Sequence, residues 1–282
     1  MPCRSRDLAG TDCSGSSGRQ FCGACGGPQA ILSLMLDIEA VLRLLRSPWQ
    51  IQWHEQAGST NTLALQAARA GALERLVIGA ETQTSGRGRL GRRWLDVPGH
   101  CLLFSILLRP APDSRRELIG LAAAVAVAEA AEQFGADLRL RWPNDLFWQE
   151  RKVCGTLTEG ASGAVVTGIG INVTAAPAVQ GLQAASISQA AGRRVAREEL
   201  LAEILDRFDA RYAEVSRGRA DAIIAAARRR DDLAGRQVVV RCGREELNGR
   251  CLGIDESGHL VVVSDGQTVA LTAGEIVQAR EV

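Results

Sequence analysis

Gly86-Arg87-Gly88-Arg89-Leu90-Gly91-Arg92-Arg93-Trp94 sets four arginines and three glycines in nine residues, with no acid among them. Such a stretch cannot bury enough apolar surface to fold alone, and each glycine adds backbone freedom that ordering removes. Its guanidinium forks suit phosphate or carboxylate. The stretch therefore reads as an anion clamp that stays loose until an anion arrives. Standing alone it fits a solvated basic turn equally well, or an arginine–glycine segment of the kind that coats nucleic acid. Its neighbours favour the clamp, because both read as ordered strands. Residues 75–82 form one, centred on Val77 and Ile78, that delivers Gln83 into the loop. Residues 101–108 are a continuous apolar run of strand length, as expected of a central strand.

The chain has 282 residues, 46% of them hydrophobic, enough for one large domain or one plus a small one. Its net charge of +1 gives no global field for nucleic acid or membrane, so anion recognition must be local. Lys152 is the single lysine in the chain. GC-rich coding would favour arginine everywhere, which makes a surviving lysine a candidate for a position that arginine cannot serve. Of the eight cysteines, Cys3, Cys13, Cys22 and Cys25 lie near the N-terminus. Cys101, Cys154, Cys242 and Cys251 sit in or beside apolar runs and read as small buried hydrophobes of a reducing compartment. The apolar run near Met35 is interrupted by Asp37 and Glu39, and neither a signal peptide nor a membrane span is evident, so a cytoplasmic protein is expected.

Residues 1–30 are rich in Gly, Ser and Cys, without period, and read as disordered. The Cys22–Cys25 knuckle offers at most half a zinc site, and Met35 is a plausible alternative start. Residues 35–46 read as a helix and 51–54 as a strand. Gly58-Ser59-Thr60-Asn61 then opens an alanine-rich helix that stops near Gly71, with Ser59 or Thr60 as N-cap. A polar cluster at a helix start also offers hydroxyls and free N–H groups to a ligand. Residues 114–134 form a long alanine-rich helix, and 138–142 a strand broken by Pro143-Asn144-Asp145. Residues 146–148 and 153–159 form a hairpin around residues 149–152. Residues 164–173 form a buried strand whose Gly168 and Gly170 suggest close approach to a ligand. Helices follow at 197–217 and 219–230. From residue 233 short strands recur at 237–242, 247–254, 258–264 and 268–271, a small all-β module consistent with a small barrel. Three units follow: residues 1–34 as an extension, 35–232 as a catalytic domain and 233–282 as the β-module.

Five motifs stand in order: Gly58-Ser59-Thr60-Asn61; Gln83 with the arginine loop; Trp142-Pro143-Asn144-Asp145; Arg151-Lys152-Val153-Cys154-Gly155; and Gly168-Ile169-Gly170-Ile171-Asn172-Val173. Together they resemble the biotin protein ligase family across residues 50–280. The resemblance implies an α+β fold: a mixed central sheet with flanking helices, related to class II aminoacyl-tRNA synthetases, plus a C-terminal SH3-like β-barrel. It implies that biotin and MgATP give biotinyl-5′-AMP, and that biotin then passes to a lysine of an acetyl-CoA carboxylase carrier domain. Ser59, Thr60, Asn61, Gln83, Gly88 and Gly155 match biotin-pocket positions. Arg87 and Arg89 match the loop closing over biotin and phosphate, and Lys152 matches the lysine bridging biotin and the α-phosphate. Arg92, Trp94, Asn144 and Asn172 match the adenylate side, and Asp145 lies where nucleotide and metal are handled. Position 141 is arginine where many members have lysine. No helix-turn-helix precedes the core, so a ligase without a DNA or membrane partner is expected, as a monomer or weak homodimer.

The chemistry agrees with these residue types. Joining a carboxylate to ATP brings two anions together, which calls for positive charge aimed at both and for exclusion of water from a mixed anhydride. A compact ammonium can follow charge moving from carboxylate to phosphate better than a broad guanidinium, which singles out Lys152 alongside Arg89. Asp145 fits either an oxygen ligand for ATP-bound magnesium or a turn residue after Pro143-Asn144. Trp94, Trp142 and Trp148 suit a pocket wall, but core packing is the stronger expectation for each. His54, His100 and His259 lie in no motif. Two other readings compete: a lipoate or octanoyl transferase of related fold, and a nucleic-acid-binding module built on the loop. With aromatic content of 4% and near-zero net charge, the second lacks stacking partners.

Overall fold

In the computed structural model, residues 35–161, 163–181 and 183–280 are described. The expectations for residues 1–34, including disorder and the zinc knuckle, lie outside them. The core is a seven-stranded sheet of order β1-β2-β3-β7-β6-β5-β4. Its strands are β1 (Gln50–Ala57), β2 (Leu76–Gln83), β3 (Cys101–Leu108), β4 (Arg139–Arg141), β5 (Asp145–Trp148), β6 (Arg151–Ala161) and β7 (Ala164–Asn172). β1 and β2 pair in parallel and the others antiparallel, so the sheet is mixed, as expected. All eight residues of β3 are buried, as its unbroken apolar run requires of a strand covered on both faces.

Two layers of helix cover the sheet. On one side lies α2 (Thr60–Arg69), whose Ala64 and Ala68 pack on Leu76, Ile78, Leu107 and Val166. The larger core holds α3 (Ile119–Gln133) and α5 (Arg197–Ser216). α3 buries twelve of its fifteen residues, mostly alanines, and its small side chains let it press against both neighbours. α1 (Ile38–Leu44) is capped by Asp37, whose Oδ1 accepts the Ala40 N–H at 2.9 Å. Glu81 is buried on β2. It pairs with buried Arg197 at 2.6 Å and accepts the Trp53 indole N–H at 2.8 Å, so its charge is compensated where water cannot reach.

α6 (Asp221–Arg230) leads to five antiparallel strands: β8 (Gln237–Cys242), β9 (Glu245–Ile254), β10 (Leu260–Ser264), β11 (Gln267–Leu271) and β12 (Glu275–Arg280). Their order is β11-β10-β9-β8-β12. The two edge strands do not pair with each other among the described residues, so the expected small barrel is here an open antiparallel sheet. It docks through Trp142, whose indole N–H donates to the Gly258 carbonyl at 3.0 Å, and through Arg228, which donates to the Ile254 carbonyl at 2.6 Å. Val238, Val240, Ile254, Leu260 and Val262 join the same apolar core as α3 and α5, and the described residues form one compact unit. Two elements were not anticipated. One is α4 (Ile187–Ala191), set by a Ser186/Gln189 capping box; the other is β12.

Candidate active site

The floor of the site is made of glycines. β6 and β7 pair Gly155 opposite Gly170, with Gly168 two residues along on the same face of β7. A Cβ on Gly170 would lie 2.6 Å from the Trp94 ring, and one on Gly168 would lie 2.1 Å from Asn61 Oδ1. A Cβ on Gly155 would stand 3.1 Å from each of Asp145 Oδ1, Lys152 Cε and Trp94 Cζ3. The three glycines thus let an indole, an amide and a lysine stem lie directly on the sheet.

Above this floor lies a cavity of about 400 Å³. All fourteen residues expected at the site line it: Ser59, Thr60, Asn61, Gln83, Arg87, Gly88, Arg89, Arg92, Trp94, Asn144, Asp145, Lys152, Gly155 and Asn172. At one end is the start of α2. Ser59 occupies the N-cap position, but its side chain makes no capping bond. Instead the Thr60 N–H donates to Gln83 Oε1 at 2.8 Å, so a neighbouring strand satisfies the helix start. Ser105, fully buried on β3, stands 2.8 Å from Thr60 Oγ1 and 2.6 Å from Asn61 Oδ1. Asn61 Nδ2 donates to the Leu157 carbonyl at 3.1 Å and to Glu159 Oε2 at 2.7 Å. The Asn61 amide is therefore committed within the chain and shapes the pocket wall.

The arginine loop roofs the cavity. Its glycines suggested a loose segment, but here it is folded on itself. Gly88 N–H donates to the Arg92 carbonyl at 2.7 Å and Trp94 N–H to the Gly86 carbonyl at 3.0 Å. Leu90 and Gly91 turn the chain with φ of 56° and 75°. Each arginine goes to a different partner. Arg87 reaches Glu159 at 2.9 Å, Arg89 donates to Asn144 Oδ1 at 3.1 Å, Arg93 donates to the Thr84 carbonyl at 3.1 Å, and Arg92 pairs with Glu275 of β12. Burial pushes the Arg89 guanidinium below its ordinary pKa; nearby Asp145 opposes this shift and Arg92 adds to it.

Lys152 was expected in a hairpin turn, but it lies in strand β6. The turn is only Gln149-Glu150, both with positive φ (48° and 60°), which matches the twist of a tight two-residue hairpin. Strand placement aims Lys152 inward: its Nζ stands 2.6 Å from Asp145 Oδ2 and 5.7 Å from the Trp94 ring centroid. Asp145 Oδ1 is buried and has no partner. Asn144 donates to the Thr156 carbonyl at 2.5 Å, fixing the segment after the cis Trp142–Pro143 bond. Arg141 stacks on Phe147 at 4.0 Å and pairs with Glu150 and Asp232, so the charge at this position is balanced within the chain. Asn172 is buried, donating to the Ala185 carbonyl at 3.1 Å. Of the tryptophans, Trp142 is buried as expected and also lines the cavity, and the half-buried Trp94 walls it against the packing expectation. Ser105, Glu159, Glu275 and Ile276 were not anticipated. Ser105 could have been found as the single polar residue in the apolar run 101–108.

A mixed sheet carrying an arginine roof, a lysine–aspartate pair and a glycine floor describes a site for joining anions. Residues 53–175 match the biotin/lipoate A/B protein ligase family, and residues 234–277 match the biotin protein ligase C-terminal domain. The chain belongs to the biotin protein ligase family. It is 32% identical to the biotin–[acetyl-CoA-carboxylase] ligase of Mycobacterium tuberculosis over 83% of this chain and 91% of that one. It is 32% identical to the bifunctional ligase/repressor BirA of Bacillus subtilis over 74% of this chain and 68% of that one. Among solved structures it resembles the Aquifex aeolicus biotin protein ligase in complex with biotin and ATP. The TM-score is 0.72 at 26% identity, covering 83% of this chain and 99% of that one.

Proposed function

We propose that this chain activates biotin with ATP to biotinyl-5′-AMP and then transfers the biotinyl group to a lysine of an acetyl-CoA carboxylase carrier domain. The observation that carries this reading is the convergence of Lys152, Arg89 and the Ser59–Gln83 cluster on one glycine-floored cavity in a chain of this family. The biotin protein ligase C-terminal match and the named relatives favour biotin over lipoate. The loop's contacts to Glu159, Asn144 and Glu275 favour a pocket roof over a nucleic-acid clamp.

In this reading Ser59, Thr60 and Gln83 bind the polar ring of biotin, with Gly88 and Gly155 giving it room. Lys152 bridges the biotin carboxylate and the α-phosphate. Its pairing with Asp145 keeps the ammonium aimed into the site before substrate arrives. As the carboxylate oxygen attacks the α-phosphorus and pyrophosphate leaves, charge builds on the phosphoryl oxygens, where Arg89 stabilises it, while Arg92 binds the polyphosphate equally before and during the step. Arg87 and Trp94 close the site against water, and Asn144 and Asn172 hold the adenylate side. Magnesium arriving on ATP needs few protein oxygens, and the unpartnered buried Asp145 Oδ1 fits as one of them. Bound there, the ion would offset phosphate charge. Among the described residues no helix is long and apolar enough to cross a membrane. We take the protein to work in the cytoplasm, as a monomer or weak homodimer, with the carrier domain rather than DNA as its macromolecular partner. Biotin-dependent exchange of label between pyrophosphate and ATP tests the reading. Exchange that is absent with biotin, or equal with lipoate, would overturn it.

A further inference from the structure

The C-terminal sheet contributes a side chain to the arginine roof. Glu275 opens β12, lines the cavity together with Ile276, and pairs with Arg92 of the loop. Its setting is built. Gly274 lets β12 seat tightly against β8, since a Cβ there would lie 2.7 Å from Val240 Cγ1. Across the ladder Glu275 stands opposite Arg241, whose Nη1 is 3.8 Å from its carboxylate. Arg241 is held in turn by Glu246 at 2.8 Å. The Glu275 side chain is only 14% exposed and that of Arg92 is 66% exposed, so the acid is the anchor and the arginine the member free to move.

Resting on the ligase reading above, we propose that Glu275 is a positioning residue that holds Arg92 over the nucleotide end of the cavity, so that the C-terminal sheet tunes recognition of the ATP polyphosphate. Arg89 and Arg92 lie close enough to repel each other. Without a counter-charge Arg92 would swing toward solvent, and Arg241 would push it the same way. Glu275 offsets both repulsions from outside the pocket, leaving the phosphate-facing side of the guanidinium available. Polyphosphate then meets an arginine already in place and loses less side-chain freedom on binding.

The test is biotin-dependent pyrophosphate exchange with the full chain, read as KM against kcat. Glu275→Gln should raise the KM for MgATP about tenfold, with kcat and the KM for biotin within twofold of wild type. In an Arg92→Gln background the same change should do nothing further, because its effect runs through Arg92. Glu275→Asp keeps the charge beside Arg241 but shortens the reach, and should also raise the KM for MgATP; it covers the case in which the glutamine variant does not fold. The proposal fails if the KM for MgATP is unchanged or falls, if the KM for biotin rises in parallel, or if the effect persists without Arg92. Direct titration with MgATP separates this failure from that of the ligase reading. Weaker MgATP binding by the Glu275 variants, in a protein that shows no exchange, would keep the Arg92 assignment and sink the ligase reading.

Discussion

Replacing Gly170 by alanine adds one methyl group at the centre of the site's floor. That carbon would lie 2.6 Å from Trp94 Cε2 and 2.9 Å from Cδ2 and Cζ2, where carbon contacts settle at about 3.5–4 Å. The β7 backbone is paired on both sides, so the indole must yield, by about 1 Å. Overpacking of this kind costs about 1–3 kcal/mol. At roughly 2–4 °C per kcal/mol for a protein of this size, the melting temperature should fall by about 2–12 °C. The effect on activity should be larger, because Trp94 is the last residue of the arginine roof and lies against Lys152. A misplacement of about 1 Å at a reacting centre can cost on the order of 100-fold. The assay is biotin-dependent pyrophosphate exchange beside a thermal melt. The control is Gly160→Ala on β6, where the new carbon meets nothing closer than 3.8 Å and exchange should stay within about twofold. A Gly170→Ala protein with wild-type exchange would show that Trp94 does not need the sheet surface, and would refute the argument.

Lys152→Ala should lower adenylate formation at least 100-fold, about 3 kcal/mol of transition-state stabilisation; near wild-type formation of biotinyl-AMP would remove Lys152 from its proposed role. Arg89→Gly should loosen retention of the adenylate more than binding of biotin, because Arg89 is tied to Asn144 and lies away from the Ser59–Gln83 cluster. The escaped anhydride should then label serum albumin on a biotin blot, and labelling still confined to the carrier domain would count against it. Tyr212 is the single tyrosine of the chain, so tyrosinate absorbance reports one group. Burial, the Glu74 charge and the hydrogen bond to Glu74 push its hydroxyl from 10.0 up to about 12. A folded pKa above the unfolded one means that Tyr212 contributes stability below pH 10, which is lost as pH rises from about 10 to about 12. The native absorbance midpoint should lie near the upper value, with Tyr212→Phe removing that phase; a native midpoint near pH 10 would refute it.

Elements whose signal is local were legible in the sequence. Residues 101–108 and 237–242 are the strands expected, because an unbroken apolar run and a valine cluster leave little else for a backbone to do. The helix start at Thr60 was read correctly for the wrong reason. The residue types that cap helices are present, but the bond that closes the turn comes from Gln83, distant in sequence. β12 was missed because Glu-Ile-Val-Gln-Ala-Arg alternates too weakly to stand out and is held by a bulged ladder to β8. The barrel was expected because short strands with turn signals are compatible with both closed and open sheets, and edge pairing carries no local signature.

The same division explains the site. Residues that would touch ligand were legible because their chemistry is unusual where they stand: one lysine in an arginine-rich chain, four arginines among glycines, glycines inside a buried strand. The residues that hold them were not legible, since a buried serine, a strand glutamate and an acid on a distant sheet are ordinary residue types. Glu159 shows why. It binds Arg87 and Asn61 at once, joining the roof to the polar end of the pocket. It does so only because β6 runs beneath the loop and beside α2. That function belongs to the topology, and a sequence reading can locate it only after the sheet order is known. The loop follows the same logic. Glycine and arginine content alone suggests looseness, yet three of the four arginines meet partners supplied by separate elements, Glu159 on β6, Asn144 before β5 and Glu275 on β12. Closure of the roof is therefore shared between the seven-stranded core and the C-terminal sheet: a change at Glu159 should be felt at Arg87 and Asn61, and a change at Glu275 at Arg92.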